Sequence, residues 1–203
     1  MNKWNQDRRD ARSESKILSE MAHGLKLDLV DIDMNMMGHR QGIESADFFR
    51  KLINNETVPK DSLSLEYFML WRDFISIQNK TGYESLKSKG LELIQNDSLR
   101  FDIIELYDFH FEILEKLEED YSEMQYNKNY FHPINDILVD YMVFDDQGTL
   151  IDIKQPFRLS KKDKNLILSF LSRMKNSRQY RLKYYTIVKD KTEQLIQKIE
   201  DEL

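Results

Sequence analysis

The 203 residues carry 30 Lys and Arg against 36 Asp and Glu, a net charge of −6, and this acidic balance argues against general nucleic-acid binding, which needs a basic surface to displace counterions. Cysteine is absent, which excludes disulfides, thiolate metal sites and a cysteine nucleophile. Apolar residues make up 40% of the chain, enough to offset the ordering entropy of a single domain over 1–203, and six Gly and three Pro beside abundant Leu, Glu, Lys and Asp predict an all-α protein.

From Asn5 to about Asn54 the apolar pattern is helical. Leu18, Ala22, Leu25, Leu29, Ile32, Met36, His39 and Ile43 alternate steps of four and three, the seam of a bundle helix. A bend is expected around Met36-Met37-Gly38-His39. Pro59 ends this rod, Asp61 or Ser62 caps the next helix, and that helix is expected to reach about Asn79 with Tyr67, Leu70, Trp71, Phe74 and Ile77 on one face.

In "TGYESLKSKG", Thr81-x-x-Glu84 reads as a capping box opening a short helix that Gly90 stops. "NDSLRF" starts a long helix from Ser98 to about Tyr126, whose apolar face includes Leu99, Ile103, Tyr107, His110, Tyr121 and Met124. A helix from about Tyr130 to Met142 has Pro133 in its first turn, and "VFDDQGTLIDI" changes period to that of a two-stranded hairpin. Ser160-x-x-Asp163 caps a short helix, and a separate last helix, from about Ser177 to Leu203, bears Tyr185, Val188, Thr192, Leu195 and Ile199 at four-and-three spacing. The expected architecture is an elongated up-down bundle of about four main helices, with short connecting helices and one small hairpin.

The first turns raise a question of location. Trp4 followed by Arg8, Arg9 and Arg12 is the pattern found where a transmembrane helix leaves the bilayer, with indole at headgroup level and cations beyond it. The other reading is an ordinary N-terminus with a Trp packed on the bundle.

"NKWNQDRRDARSESKIL", "GYESLKSKGLELIQNDSLRFDIIELY" and "LIQKIEDEL" together resemble a family of uncharacterised bacterial proteins carrying a domain of unknown function. Its members have a short basic N-terminus and one membrane-spanning helix ending in an Asn-Asn-Trp-Asn-like motif. An extracytoplasmic helical domain follows, closed by a Leu-Ile-x-x-Ile-Glu-x-x-Leu-like tail. The matching positions are Trp4 and Asn5 for the exit motif, Tyr83, Ser85, Leu86, Ser88 and Gly90 for the central motif, and Leu195, Ile196, Ile199, Glu200 and Leu203 for the tail.

The resemblance implies a protein of the cytoplasmic membrane with a single span and a domain facing the periplasm or exterior. The expectation is that this sequence begins just after that span. The family brings no known activity, cofactor or catalytic residue.

His39 and His110 are the most suggestive chemical feature, since both fall on apolar seams. They meet inside the bundle as a metal site or pH-sensitive pair, or they are core histidines satisfied by hydrogen bonds. The carboxylate-bridged dimetal class is excluded, because it needs Glu three residues before each His and these positions hold Met36 and Tyr107.

Tyr83, Ser85, Lys87 and Ser88 form a hydroxyl-rich basic turn suited to an anion or glycan, or else simply a cap, a helix and a stop. "SRMKNSRQYRLKYY" gathers Arg173, Arg178 and Arg181 around an expected helix–helix turn, a surface for an acidic partner or anionic lipid, or a solvated hairpin balanced by neighbouring carboxylates.

The favoured function is a membrane-tethered extracytoplasmic module for protein interaction or ligand sensing, without cofactor and not an enzyme, whose partner is another envelope or membrane protein. The alternatives are a metal-binding protein or enzyme around His39 and His110, and a structural component that forms homo-oligomers.

Overall fold

The computed structural model describes residues 3–120, 125 and 131–203, with the backbone alone at 3–7 and 120. Among these residues the chain is an all-α helical bundle with one small antiparallel hairpin. The helices are α1 (Lys3–Ile53), α2 (Leu63–Trp71), α3 (Thr81–Lys89), α4 (Asp97–Ile104), α5 (Glu112–Glu115), α6 (His132–Leu138) and α7 (Lys161–Glu202). Strands β1 (Met142–Phe144) and β2 (Leu150–Ile153) pair Met142 with Ile153 and Val143 with Asp152, as the change of period predicts.

The chain divides into two compact units. The first takes α1 up to Met34, Ser76–Lys116 and Tyr184–Leu203; the second takes Asn35–Ile75 and Leu117–Lys183.

In the first unit the predicted seams are buried. Leu18, Leu25 and Ile32 of α1 are buried, as are Leu99 and Ile103 of α4 and Val188 of α7. Each such aliphatic side chain, fully removed from water, contributes about 1.5–3 kcal/mol. Asn96 caps α4 by accepting the Leu99 N–H at 3.2 Å. Gly90, with φ 103°, ends α3 in a conformation that other residues rarely adopt. The capping box does not form, because Thr81 is already inside α3 and the position before it is Lys80, whose side chain makes no cap bond.

Helical geometry continues beyond α4 in a wider form. Residues Glu105–Phe111 and Lys116–Asp120 are π-helical, with α5 between them. The expected end of this helix, with Tyr121, Met124 and Tyr126, and the start of the next at Tyr130, lie outside the described residues.

In the second unit the core joins Phe49 and Leu52 of α1, Leu70 of α2, Leu138 of α6, Ile153 of β2 and Leu171 of α7. Ser160 caps α7, its Oγ accepting the Asp163 N–H at 3.0 Å.

Two expectations about boundaries are corrected. The predicted second helix stops at Trp71 rather than near Asn79, and residues 72–80 run without regular structure. The guanidinium of Arg178 donates to the carbonyl oxygens of Arg72 at 2.8 Å and Met69 at 3.4 Å, so the last carbonyls of α2 are satisfied by a side chain instead of another turn. The predicted short helix after Ser160 and the predicted last helix are one, since α7 is continuous over 42 residues. Helix α1 is assigned continuously through Met36-Met37-Gly38-His39. Its glycines allow close approach there: a Cβ on Gly38 would lie 2.3 Å from the Phe74 ring, and one on Gly42 would lie 2.4 Å from the Arg178 guanidinium.

Candidate functional site

The strongest site in the first unit lies where the irregular segment before α3 meets α1. Asp28 and Asp31 stand about one turn apart on α1. Asp28 Oδ1 accepts the Asn79 N–H at 2.8 Å, and Asp31 Oδ2 accepts the Ile77 N–H at 3.0 Å. Two α1 carboxylates thus hold alternate amides of a segment that has no helical partner for them.

A cleft of about 430 Å³ opens beside them, lined by Leu27, Asp28, Asp31, Ile77, Asn79 and Lys80 among others. Asp28 is only 3% exposed, and its Oδ2 is buried without a hydrogen-bond partner among the described residues. Burial, the largest cause, raises its pKa from 3.8 to about 6; the Asn79 amide pulls it down, and the Asp31 charge adds to the rise. Lys80 does not neutralise this wall, because its Nζ is 2.7 Å from Glu115 and 3.7 Å from Glu112.

Tyr83 of the central motif enters the core rather than a surface turn. Its ring stacks on Tyr107 at 4.5 Å between centroids with 14° between planes, and its hydroxyl donates to Asp108 at 2.7 Å. Tyr107 is fully packed, its hydroxyl has no hydrogen-bond partner among the described residues, and burial followed by the charge of Asp28 raises its pKa strongly.

Lys87 and Ser88 are exposed and Ser85 is half-buried. Ser88 Oγ returns to the Ser85 carbonyl at 2.8 Å, while Lys87 pairs with Glu84 at 3.4 Å and lies 5.1 Å from the Tyr83 ring centre. The four motif residues are therefore not gathered around one cavity.

The π-helical turn creates a relationship that 3.6-residue spacing conceals. With five residues between bonded peptide groups, Glu105 and His110 come onto one side, and His110 Nε2 lies 3.9 Å from Glu105 Oε1. Glu105 also takes Lys191 of α7 at 2.9 Å, and His110 Nδ1 is 3.3 Å from the Tyr184 hydroxyl. Burial lowers the His110 pKa against the pull of Glu105, with Lys191 acting in the same direction as burial.

His39 belongs to the second unit and His110 to the first. His39 is completely buried, its ring edge-on to Phe74 at 5.6 Å. Its pKa is held well below the ordinary value by burial first, then by the cations of Arg178 and Arg181. Arg181 pairs with Asp73 at 2.9 Å. Two guanidinium charges acting on a neutral imidazole make this an electrostatically poor place for a metal cation. Among the described residues no group of three or more His, Asp or Glu is placed to hold a metal ion.

The expected basic hairpin is corrected with the turn that defined it. Arg178 and Arg181 are both 0% exposed, so of the three arginines only Arg173 presents its charge to solvent. The reason is that Ile167, Leu171, Met174, Arg178, Arg181, Tyr185, Val188 and Thr192 form one unbroken four-and-three seam on α7, and the two arginines occupy its inward positions.

Asp28 was the residue that the sequence reading passed over. Its signal was the seven-residue series Met21, Asp28, Asn35 and Gly42, all of them buried, running beside the predicted seam.

Arg8 and Arg9 are exposed on α1, and the side chain of Trp4 lies outside the described residues. No described helix is long and apolar enough to cross a membrane. Compared with protein families, curated proteins and solved structures, the chain finds no match.

Proposed function

We propose that this protein is the extracytoplasmic helical module of a single-span protein of the cytoplasmic membrane and that it senses a small ligand on the outer side. The observation that carries the ligand-sensing reading is the cleft beside α1, whose lining includes the buried carboxylate residue Asp28. A buried carboxylate is costly, and a ligand seated beside it with complementary charge offsets part of that cost. The tether rests on Trp4 with Arg8, Arg9 and Arg12 and on the family resemblance of the central and terminal motifs. In this reading the protein catalyses no reaction and uses no cofactor.

A second observation favours interaction with another envelope protein. Leu27, Val30 and Met34 are exposed on α1 at steps of three and four, with relative exposures of 52%, 59% and 57%, the spacing with which one helix offers a seam to another.

The test has two arms. Fractionation and protease accessibility of the native protein in its own cells are expected to place it in the membrane with this domain digestible from outside; a cytosolic protein contradicts the tether. Thermal-shift screening of the domain against small molecules from the envelope compartment is expected to stabilise wild type and not Asp28→Asn. Equal shifts in both contradict sensing at this cleft.

A further inference from the structure

We infer that the second unit holds a ligand site of its own, between the end of α1 and the first half of α7, and that it takes a small carboxylate with an aliphatic body. The inference stands apart from the cleft beside Asp28 and from the sensing reading. A pocket of about 410 Å³ opens here, within the range of about 300–1,000 Å³ common for small-molecule sites, and all of its lining belongs to the second unit. Ala46 and Leu171 form its base, packed into the core at 2% and 3% exposure. Leu168, half-buried, and the methylene stems of Arg50 and Lys175 offer apolar surface to a ligand body.

The polar part of the lining is rich in donors. Asp47, its acidic residue, already faces a cation with each oxygen: Lys175 Nζ is 2.7 Å from Oδ2, and Arg50 Nε is 3.6 Å from Oδ1. The second carboxylate near Arg50 is Glu56, 3.5 Å from a terminal nitrogen and outside the lining. Both contacts of Arg50 exceed the length of about 2.7–3.2 Å usual for an N–H···O bond, so its donors are drawn to these carboxylates without being saturated by them. Lys175 spends one of its ammonium donors on Asp47.

A ligand acceptor entering the pocket therefore meets donors with capacity to spare. An entering cation meets Arg50 and Lys175, and a carboxylate whose oxygens both face those cations. Within the lining the two cations outnumber the carboxylate by one charge, which a monoanion balances and a phosphate dianion exceeds. Glu56 is the competitor that such a monoanion displaces from Arg50.

The test titrates the full chain calorimetrically at neutral pH with four probes of one body: n-octanoate, n-octanol, n-octylammonium and n-octyl phosphate. The expected order places n-octanoate first, about fivefold tighter than n-octanol because the cations are part-exposed, with n-octylammonium weakest. Arg50→Gln, at a side chain 43% exposed, is expected to remove that advantage and leave n-octanol unchanged. Glu56→Gln, which takes away the competitor, is expected to tighten n-octanoate by about two- to fivefold. Ser172→Phe, at an exposed position of the lining, puts a ring into the pocket and is expected to abolish binding of every probe. Equal or tighter binding of the alcohol, the ammonium or the phosphate overturns the carboxylate inference. An n-octanoate affinity unaltered in Arg50→Gln or in Ser172→Phe overturns it too, and so does failure of all four probes to bind.

Discussion

The guanidinium of Arg178 donates to the backbone carbonyl of Arg72 at 2.8 Å, and this bond from the middle of α7 fixes where α2 ends. A residue that reads as a surface cation in the sequence is a buried helix terminator in the fold. Replacing it with an apolar side chain of similar length strips the carbonyls of Met69 and Arg72 of their donor. Arg178→Met is therefore expected to lower the free energy of unfolding by about 2–3 kcal/mol, measured by urea denaturation. An unchanged midpoint with an unchanged slope sinks this account of the α2 boundary.

Gly38 gives a prediction opposite in sign to ordinary helix propensity. Exchanging a helical glycine for alanine normally stabilises by about 1 kcal/mol. Here the added methyl meets Phe74 Cε1 at 2.3 Å, so the ring must move, and Gly38→Ala is expected to cost about 1–3 kcal/mol net. Combining it with Phe74→Leu, which frees the space, is expected to recover part of the loss. Strict additivity of the two substitutions rules out the contact as the cause.

Asp28 makes stability depend on pH in the direction contrary to a paired carboxylate. Its folded pKa of about 6 lies above the ordinary value of 3.8, so folding favours the protonated form. The contribution is fully present below about pH 4 and is lost as pH rises through about 6. Asp28→Asn, which does not ionise, is expected to match wild type at about pH 4 and to exceed it above about pH 6, by no more than about 3 kcal/mol. Melting curves across that window check it, and a variant less stable than wild type at neutral pH contradicts the burial of an ionised carboxylate.

His39 supplies the opposite sign. Burial and the charges of Arg178 and Arg181 hold its folded pKa well below 6.5, so its contribution to stability is present above the unfolded value and lost as pH falls. Its imidazole carbon-bound protons are expected to keep their neutral chemical shifts in NMR spectra through about pH 6.5, where an ordinary imidazole is half protonated. Titration of that ring near its ordinary value refutes the placement between two guanidinium groups.

Much of the fold was legible because bundle seams are written as repeated apolar steps. Leu18, Leu25 and Ile32 on α1, and Tyr185, Val188, Leu195 and Ile199 on α7, are buried as their spacing predicts. What failed was polar residues on those same seams. Arg178 and Arg181 interrupted the apolar pattern, so one helix of 42 residues was divided at a turn that does not exist.

Ile77 failed in the reverse sense, since an apolar residue at helical spacing sits 79% exposed on a segment held by Asp31. The Glu105–His110 proximity was hidden by the assumption of 3.6 residues per turn, because a π-helical turn shifts which side chains share a face. The cleft could not be read at all, as it depends on the chain leaving α2 early.

The most direct measurement of ligand sensing follows the amide of Asn79, which donates to Asp28 at 2.8 Å, by ¹⁵N–¹H correlation NMR while an extract of envelope small molecules is added. The account predicts a saturating shift at Asn79 and Ile77, absent in Asp28→Asn, with the amides of β1 and β2 in the second unit unmoved. No change at Asn79, or an equal change in the Asp28→Asn protein, contradicts it.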